Sequence, residues 1–272
     1  KFNLEGISEV QRKFFGTLYN TYSFFALYSN IDGFTFSEKE IAIKDRTELD
    51  RWILSELNSL IKIVDESYSD YEPTRAARAI SDFVTEHLSN WYVRLSRRRF
   101  WKGEYTNDKI AAYQTLYSCL ETISILMSPI APFFSDRLFR DLNTVSSLRK
   151  ATSVHLADFP ELNIAIIDKS LEERMELAQQ ISSMVLSLRK KVNIRVRQPL
   201  NKILIPVLDE AFKIKVEAVK DLILAEVNVK EIEYIHDTKG VLVKKIKANF
   251  KVLGKKVGGL MKDVAACIVA MT

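Results

Sequence analysis

The first 239 residues carry only four glycines, and the other four of the chain's eight fall between Gly240 and Gly259. Glycine is the residue that frees the backbone for left-handed turns and tight hairpins, so a stretch this poor in it cannot be a turn-rich β fold. It predicts long helices followed by a C-terminal piece of different texture. The 272 residues suffice for one large domain or two ordinary ones, at roughly 100–200 residues each. A composition that is 47% hydrophobic and 28% charged excludes a largely disordered chain. The longest apolar runs, such as Ile123 to Met127, fall far short of the ~18 residues that span a membrane.

Apolar periodicity locates the helices. Val10, Phe14, Leu18, Tyr22, Phe25 and Tyr28 recur near a 3.6 period, and a loop through Asp32 and Gly33 follows. Thr47 with Asp50 three residues on is a capping signal, and it opens a helix through Ile53, Leu57, Leu60, Ile61 and Val64. Pro73 fits the first turn of the next helix, whose stripe runs Ile80, Phe83, Val84, His87, Leu88, Trp91 and Leu95. Residues 107–127 form another helix ended by Ser128-Pro129, and a shorter one follows Pro132. Such helices with short connections make an antiparallel bundle. Residues 143–168 lack a sustained period and read as a crossing segment or linker, before a helix from Leu171 to Val192. Beyond Pro199 the pattern changes: Lys202–Val207 is strand-like, Glu210–Ala225 helical, Val229–Ile235 and Val241–Ile246 strand-like, and the end helical. The expected architecture is mainly α: a bundle over 1–150, a crossing segment and long helix over 151–192, and a small α+β module over 193–272.

Catalytic and metal chemistry leave no mark. Cys119, Cys267 and the three histidines are too dispersed for a zinc site, and two solitary cysteines fit a reducing cytoplasm. His87 lies on an apolar stripe, where a satisfied core histidine is the ordinary role. Gly254-Lys-Lys-Val-Gly-Gly259 lacks the order of a phosphate-cradling loop, and no GxSxG elbow occurs. Glu172 and Glu173 fall in a helix's first turn, where carboxylates complement the dipole. The chain opens on Lys1-Phe2-Asn3-Leu4 and stops inside an apolar helical run, so it reads as part of a longer protein.

Charge distribution says more than the net +5. Residues 1–100 are nearly balanced, with 14 basic and 15 acidic side chains. Yet Arg94–Lys102 and Arg189–Arg197 each hold five basic residues and no acid, and Lys239–Lys262 holds eight. One such run is ordinarily a solvated face, whereas three focused patches are the footprint of a polyanion partner. The first run interleaves Trp91, Tyr92, Phe100 and Trp101 with its arginines, offering stacking surfaces beside phosphate donors. On a helical wheel Arg94 and Arg98 fall near the Ile80–Val84–Trp91 stripe, so two roles stand open for them, half-buried structural pairs or RNA contacts. Trp91 reads as core.

Several segments resemble a known family. Leu49-Asp-Arg-Trp-Ile53 looks like class I aminoacyl-tRNA synthetases. Asn90-Trp-Tyr-Val-Arg-Leu-Ser-Arg-Arg-Arg-Phe-Trp101 closely resembles their isoleucyl branch. Met127-Ser-Pro-Ile-Ala-Pro-Phe133 looks like the family's proline-broken helix end, and Ile194-Arg-Val-Arg-Gln-Pro-Leu200 is similar to the start of its C-terminal junction module. Asn228–Glu231 and Asn249–Gly254 add weaker matches, and the valyl and leucyl relatives share the architecture.

The resemblance implies a helical anticodon-binding domain plus the start of the junction module, from a cytoplasmic parent that joins isoleucine to its tRNA with ATP and magnesium. The HIGH and KMSKS signatures of that chemistry do not occur in the chain, and the zinc segments of some members are also missing. No cofactor, metal or catalytic residue is therefore expected here. The implied partners are the anticodon stem-loop of isoleucine tRNA and the parent's catalytic domain in cis, with no membrane. By position, Arg97, Arg99, Trp101 and Lys102 are the first candidates for the RNA contact, with Arg94 and Arg98 beside them. Arg195, Arg197, Lys255 and Lys256 are the second. The competing reading is a helical docking module for protein, with an exposed apolar patch near Phe14-Phe15 or Phe133-Phe134 and no intrinsic RNA specificity.

Overall fold

Thr47 sets the start of the bundle's main helix as its sequence predicts. In the computed structural model, which describes residues 3–102, 104–207, 209–236, 253 and 258–270, Thr47 Oγ1 accepts from the Asp50 amide at 3.2 Å. The Asp50 carboxylate accepts in return from the Thr47 amide at 3.3 Å. This reciprocal box opens α3 (Glu48–Ser69), after α1 (Leu4–Val10), a π-helical turn (Gln11–Phe15) and α2 (Gly16–Asp32). Thr47→Ala is expected to cost about 1 kcal/mol, read as a lower urea midpoint with an unchanged slope. An unchanged midpoint would mean the helix start is held entirely by packing.

Trp52, Ile53, Leu57, Leu60, Ile61 and Val64 bury α3 into the core. The next long helix runs as α4 (Pro73–Asp82), an eleven-residue π-helical segment (Phe83–Val93) and α5 (Arg94–Trp101). Pro73 occupies its first turn, where the missing N–H costs nothing. α6 (Asn107–Leu126) is central, with fifteen of its twenty residues buried. Its buried polar side chains serve the 34–46 loop. Gln114 accepts from the Ile41 amide at 2.9 Å and donates to the Lys39 carbonyl at 3.1 Å. Arg46 reaches Thr115 Oγ1 at 2.9 Å. After the Ser128-Pro129 break, α7 (Pro132–Ser146) again starts on a proline.

Residues 147–168 contain only two short 3₁₀ turns but are tied down throughout. Asp136 accepts from Ser153 Oγ and the Val154 amide, and Val154 packs against Ile125 and Phe139. Asn58 accepts from the Asn163 amide at 3.0 Å, and Ser55 from the Asp168 amide at 2.8 Å. The segment is thus a strap on the bundle. α8 (Lys169–Lys191) follows, and the division between two compact units, Lys1–Met175 and Glu176–Thr272, falls inside it.

In the second unit, β1 (Leu200–Pro206) pairs in parallel with β2 (Val229–Ile235), Ile203 opposite Ile232. A parallel pair needs a crossover, supplied by α9 (Glu210–Ala218) and α10 (Lys220–Val227). The single helix expected over Glu210–Ala225 is therefore two. It breaks at Val219, which leaves helical geometry (φ −118°) and is itself buried. α11 (Met261–Ala270) closes the described residues. The strand expected over Val241–Ile246 lies outside them.

Candidate nucleic-acid interface

The π-helical segment decides which arginines face outward. Its wider turns advance fewer degrees per residue than an α-helix, so everything beyond Val93 is rotated relative to the stripe extrapolated from Ile80 and Val84. The buried side of α5 is consequently Ser96 and Phe100, with Arg99 beside them, and Phe100 meets Phe24 and Tyr113 edge-on, each at 5.1 Å. Arg94, Arg97, Arg98 and Trp101, at spacings of three and four, share the opposite, exposed face. Of the two positions left open for Arg94 and Arg98, the structure shows the outer one: both are exposed, and it is Arg99 that turns inward. Trp91 is core, and Arg94 lies 6.0 Å over its ring with Nε on the Asn90 carbonyl at 2.6 Å. Trp101 stays 49% exposed, enough for a base to stack on it. Lys102 is exposed, and among the described residues Arg97 and Arg98 form no ion pair.

Arg99 is held by two carboxylates. It forks onto Asp50 at 2.8 and 2.7 Å, and onto Asp108 through Nε at 3.0 Å and Nη2 at 2.8 Å. Asp50, wholly buried, also accepts from the Tyr92 hydroxyl at 2.6 Å. Burial pushes the Asp50 carboxyl up, but the Arg99 guanidinium, Tyr92 and Thr47 outweigh it and hold it below the usual carboxylate range. Burial pushes Arg99 down, and Asp50 and its other partners raise it above its ordinary value. Asp50 as counter-ion is what sequence reasoning missed. Its Leu-Asp-Arg-Trp setting was legible, but only as a cap.

The second basic run repeats the division of labour. Arg189 is 2% exposed and donates to the carbonyls of Arg195 and Gln198, at 3.2 and 3.0 Å, and of Val227 and Asn228, at 2.9 and 3.0 Å. Lys190, Lys191, Arg195 and Arg197 remain exposed around the loop so held. Asn228, in left-handed geometry at the end of α10, adds a bond to the Val196 carbonyl. Lys255 and Lys256, with most of the third run, lie outside the described residues.

Other chemistry is sparse. Glu172 lies in the first turn of α8, as its sequence position predicts. It is buried and accepts from Ser55, Ser59 and Lys169. Burial pushes the Cys119 thiol up, away from nucleophilic use. His87 packs edge-on against Trp52 and beside Phe83. Among the described residues no group of His, Cys, Asp and Glu could hold a metal, and no helix is long and apolar enough to cross a membrane. One apolar groove, of about 690 Å³, runs between Phe14, Phe15, Ile80, Met127 and Ile130. Phe133 nearby is 90% exposed, and Phe134 packs on Phe15.

Comparison with known proteins adds a separate line. A family model described as the anticodon-binding domain of tRNA ligase matches residues 50–204. The chain is 62% identical over 271 residues to an isoleucine–tRNA ligase of Cytophaga hutchinsonii and 60% over 272 residues to one of Bacteroides fragilis, covering 100% of this chain each time. An isoleucine–tRNA ligase of Dehalococcoides mccartyi is 46% identical over 230 residues, 85% of this chain. The chain spans about a quarter of the length of these relatives, 24% of the first two and 22% of the third.

Proposed function

We propose that this chain, which belongs to the family of anticodon-binding domains of tRNA ligases, holds the anticodon stem-loop of isoleucine tRNA for a cytoplasmic isoleucine–tRNA ligase. A catalytic domain on the same polypeptide would then perform the aminoacylation with ATP and magnesium. The observation that carries the reading is the outward face of α5: Arg94, Arg97 and Arg98 beside a half-exposed Trp101. Guanidinium groups grip phosphates and fix register, while an exposed indole offers a stacking platform to an unstacked loop base. Lys102 extends this surface, and Lys190, Lys191, Arg195 and Arg197 form the second candidate surface, on the other unit. Arg99 serves the first from behind.

Fluorescence anisotropy of the chain against isoleucine and valine tRNAs at two salt concentrations tests this. Tighter binding of isoleucine tRNA that persists at the higher salt is expected. Arg97→Ala and Arg98→Ala should each weaken binding and flatten the log–log salt slope by about 0.7–0.9 for each phosphate no longer neutralised. Equal affinity for both tRNAs would assign specificity elsewhere or to the valyl or leucyl relatives' type of domain. Unchanged affinity in both variants would remove the α5 face.

A second reading is supported by the groove between Phe14, Phe15 and Ile130 and by the exposed Phe133. An apolar patch of this kind marks a protein contact, and the partner that fits the first reading is the parent's catalytic domain in cis. The two readings use different surfaces of the bundle and are compatible.

A further inference from the structure

We infer that Asp50, Arg99 and Asp108 form a positioning clamp that sets the pose of the α5 arginines, and that Arg99 is not itself an RNA contact. The inference rests on the RNA-binding reading of the α5 face and adds how that face is built. Every nitrogen of the Arg99 guanidinium is engaged, Nη1 and Nη2 by buried Asp50 and Nε and Nη2 by half-exposed Asp108, with Nη2 also donating to the Asp108 carbonyl at 2.9 Å. The bidentate edge that would grip a phosphate is therefore taken. The Arg99 side chain is 16% exposed, against 51% for Asp108 and 0% for Asp50.

The clamp joins three elements at their ends. Asp50 belongs to the capping box that starts α3, Asp108 lies in the first turn of α6, and Arg99 stands near the end of α5. α5 is the last eight residues of a helix continuous from Pro73, so its course is set by the π-helical segment before it and, in its final turn, by what holds it. On the inward side the holders are Phe100, against Phe24 and Tyr113, and the guanidinium fork. Because Arg99 lies between Arg97, Arg98 and Trp101 in sequence, a shift of its fork moves all three presented groups together. A planar fork fixes both distance and angle, which a lysine ammonium in the same place does not.

The sign of one substitution separates this role from plain electrostatics. Asp108 is a half-exposed carboxylate beside a basic surface, so by charge alone its removal should tighten binding to a polyanion. The clamp predicts the reverse. Titrations of Asp108→Ala and Arg99→Lys against the isoleucine anticodon stem-loop should be made well below each variant's melting temperature, with folding checked by circular dichroism. Both should bind about threefold to tenfold more weakly, ~0.7–1.4 kcal/mol by the usual conversion, while the salt slope stays at the wild-type value. Asp108→Ala binding as tightly as wild type or tighter, or Arg99→Lys binding like wild type, would overturn the clamp. A direct Arg99–phosphate contact would show as Arg99→Ala flattening the slope like Arg97→Ala, which would overturn it too. If the wild-type chain does not bind the stem-loop, the RNA reading falls before the variants are compared, so the two failures are distinguishable.

Discussion

Arg189→Met is expected to destabilise the C-terminal unit by about 2–4 kcal/mol, the cost of leaving one buried and three part-buried carbonyls without their donor. The residue it removes is nearly as buried as a core leucine, yet among the described residues it bonds four carbonyls and no carboxylate. Two of them, Val227 and Asn228, lie at the end of α10, where the unsatisfied carbonyls of a helix concentrate negative charge. The other two, Arg195 and Gln198, belong to the loop that leads into β1. A single guanidinium thus closes the end of α10 and shapes the Ile194–Gln198 loop together. Methionine keeps much of the apolar stem and loses all of that. Lysine keeps the charge but not the fork, and should recover part of the stability. Urea unfolding, followed by circular dichroism, measures both variants. Loop exposure has its own readout, since Arg195 and Arg197 are tryptic sites and should be cut faster in the methionine variant. A wild-type midpoint in Arg189→Met would mean that water or main-chain adjustment replaces the side chain.

What was legible in the sequence follows from how local the cause is. Thr47 with Asp50, Pro73, and the Ser128-Pro129 break act on the backbone within a few residues, and each element starts or stops where those residues say. The alternation of Val229–Ile235 likewise predicts β2 over its whole length. Partners that come from far along the chain are invisible to such reasoning. Glu172 is satisfied by Ser55 and Ser59, 117 and 113 residues away, so a first-turn carboxylate turns out to be a buried hub. Arg189 finds two of its acceptors 38 and 39 residues on. The placement of Arg94, Arg98 and Arg99 escapes the sequence for a different reason. Their spacing was read at the α-helical rate, about 100° per residue, through a stretch that does not turn at that rate. A phase error carried through the eleven residues Phe83–Val93 exchanges the inner and outer faces of α5. The basic run is therefore legible as a surface, whereas the extrapolated wheel leaves Arg94 and Arg98 undecided and turns Arg99 outward, where the structure turns it in.

Asp50→Asn is expected to destabilise the bundle at neutral pH by about 2–4 kcal/mol, because it removes the buried one of the two carboxylates that pair with the largely buried Arg99 guanidinium and leaves it with half-exposed Asp108. The amide keeps the shape of the carboxylate, so packing around Trp52 and Tyr92 is not the cause of the destabilisation. What changes is that one Asp50 oxygen, which accepted from Arg99 and from Tyr92 or Thr47, becomes a donor facing donors. The effect has a defined pH dependence. Burial opposes ionisation of Asp50, and Arg99, Tyr92 and Thr47 more than reverse it, so its folded-state pKa lies below the unfolded value of about 3.9. A carboxyl lowered on folding stabilises the native state above the unfolded pKa, and that contribution is lost as pH falls through the folded one. The gap between wild type and Asp50→Asn should accordingly be flat from about pH 7 to pH 5 and narrow below about pH 4. Arg99 keeps its charge throughout that range, so the narrowing reports Asp50. Urea midpoints of both proteins at several pH values supply the test. A gap that widens in acid would mean that Asp50 is protonated in the native state at neutral pH. The fork would then run from a charged guanidinium to an uncharged carboxyl, and the corner would be held by the Arg99–Asp108 pair and the packing of Phe100 on Tyr113.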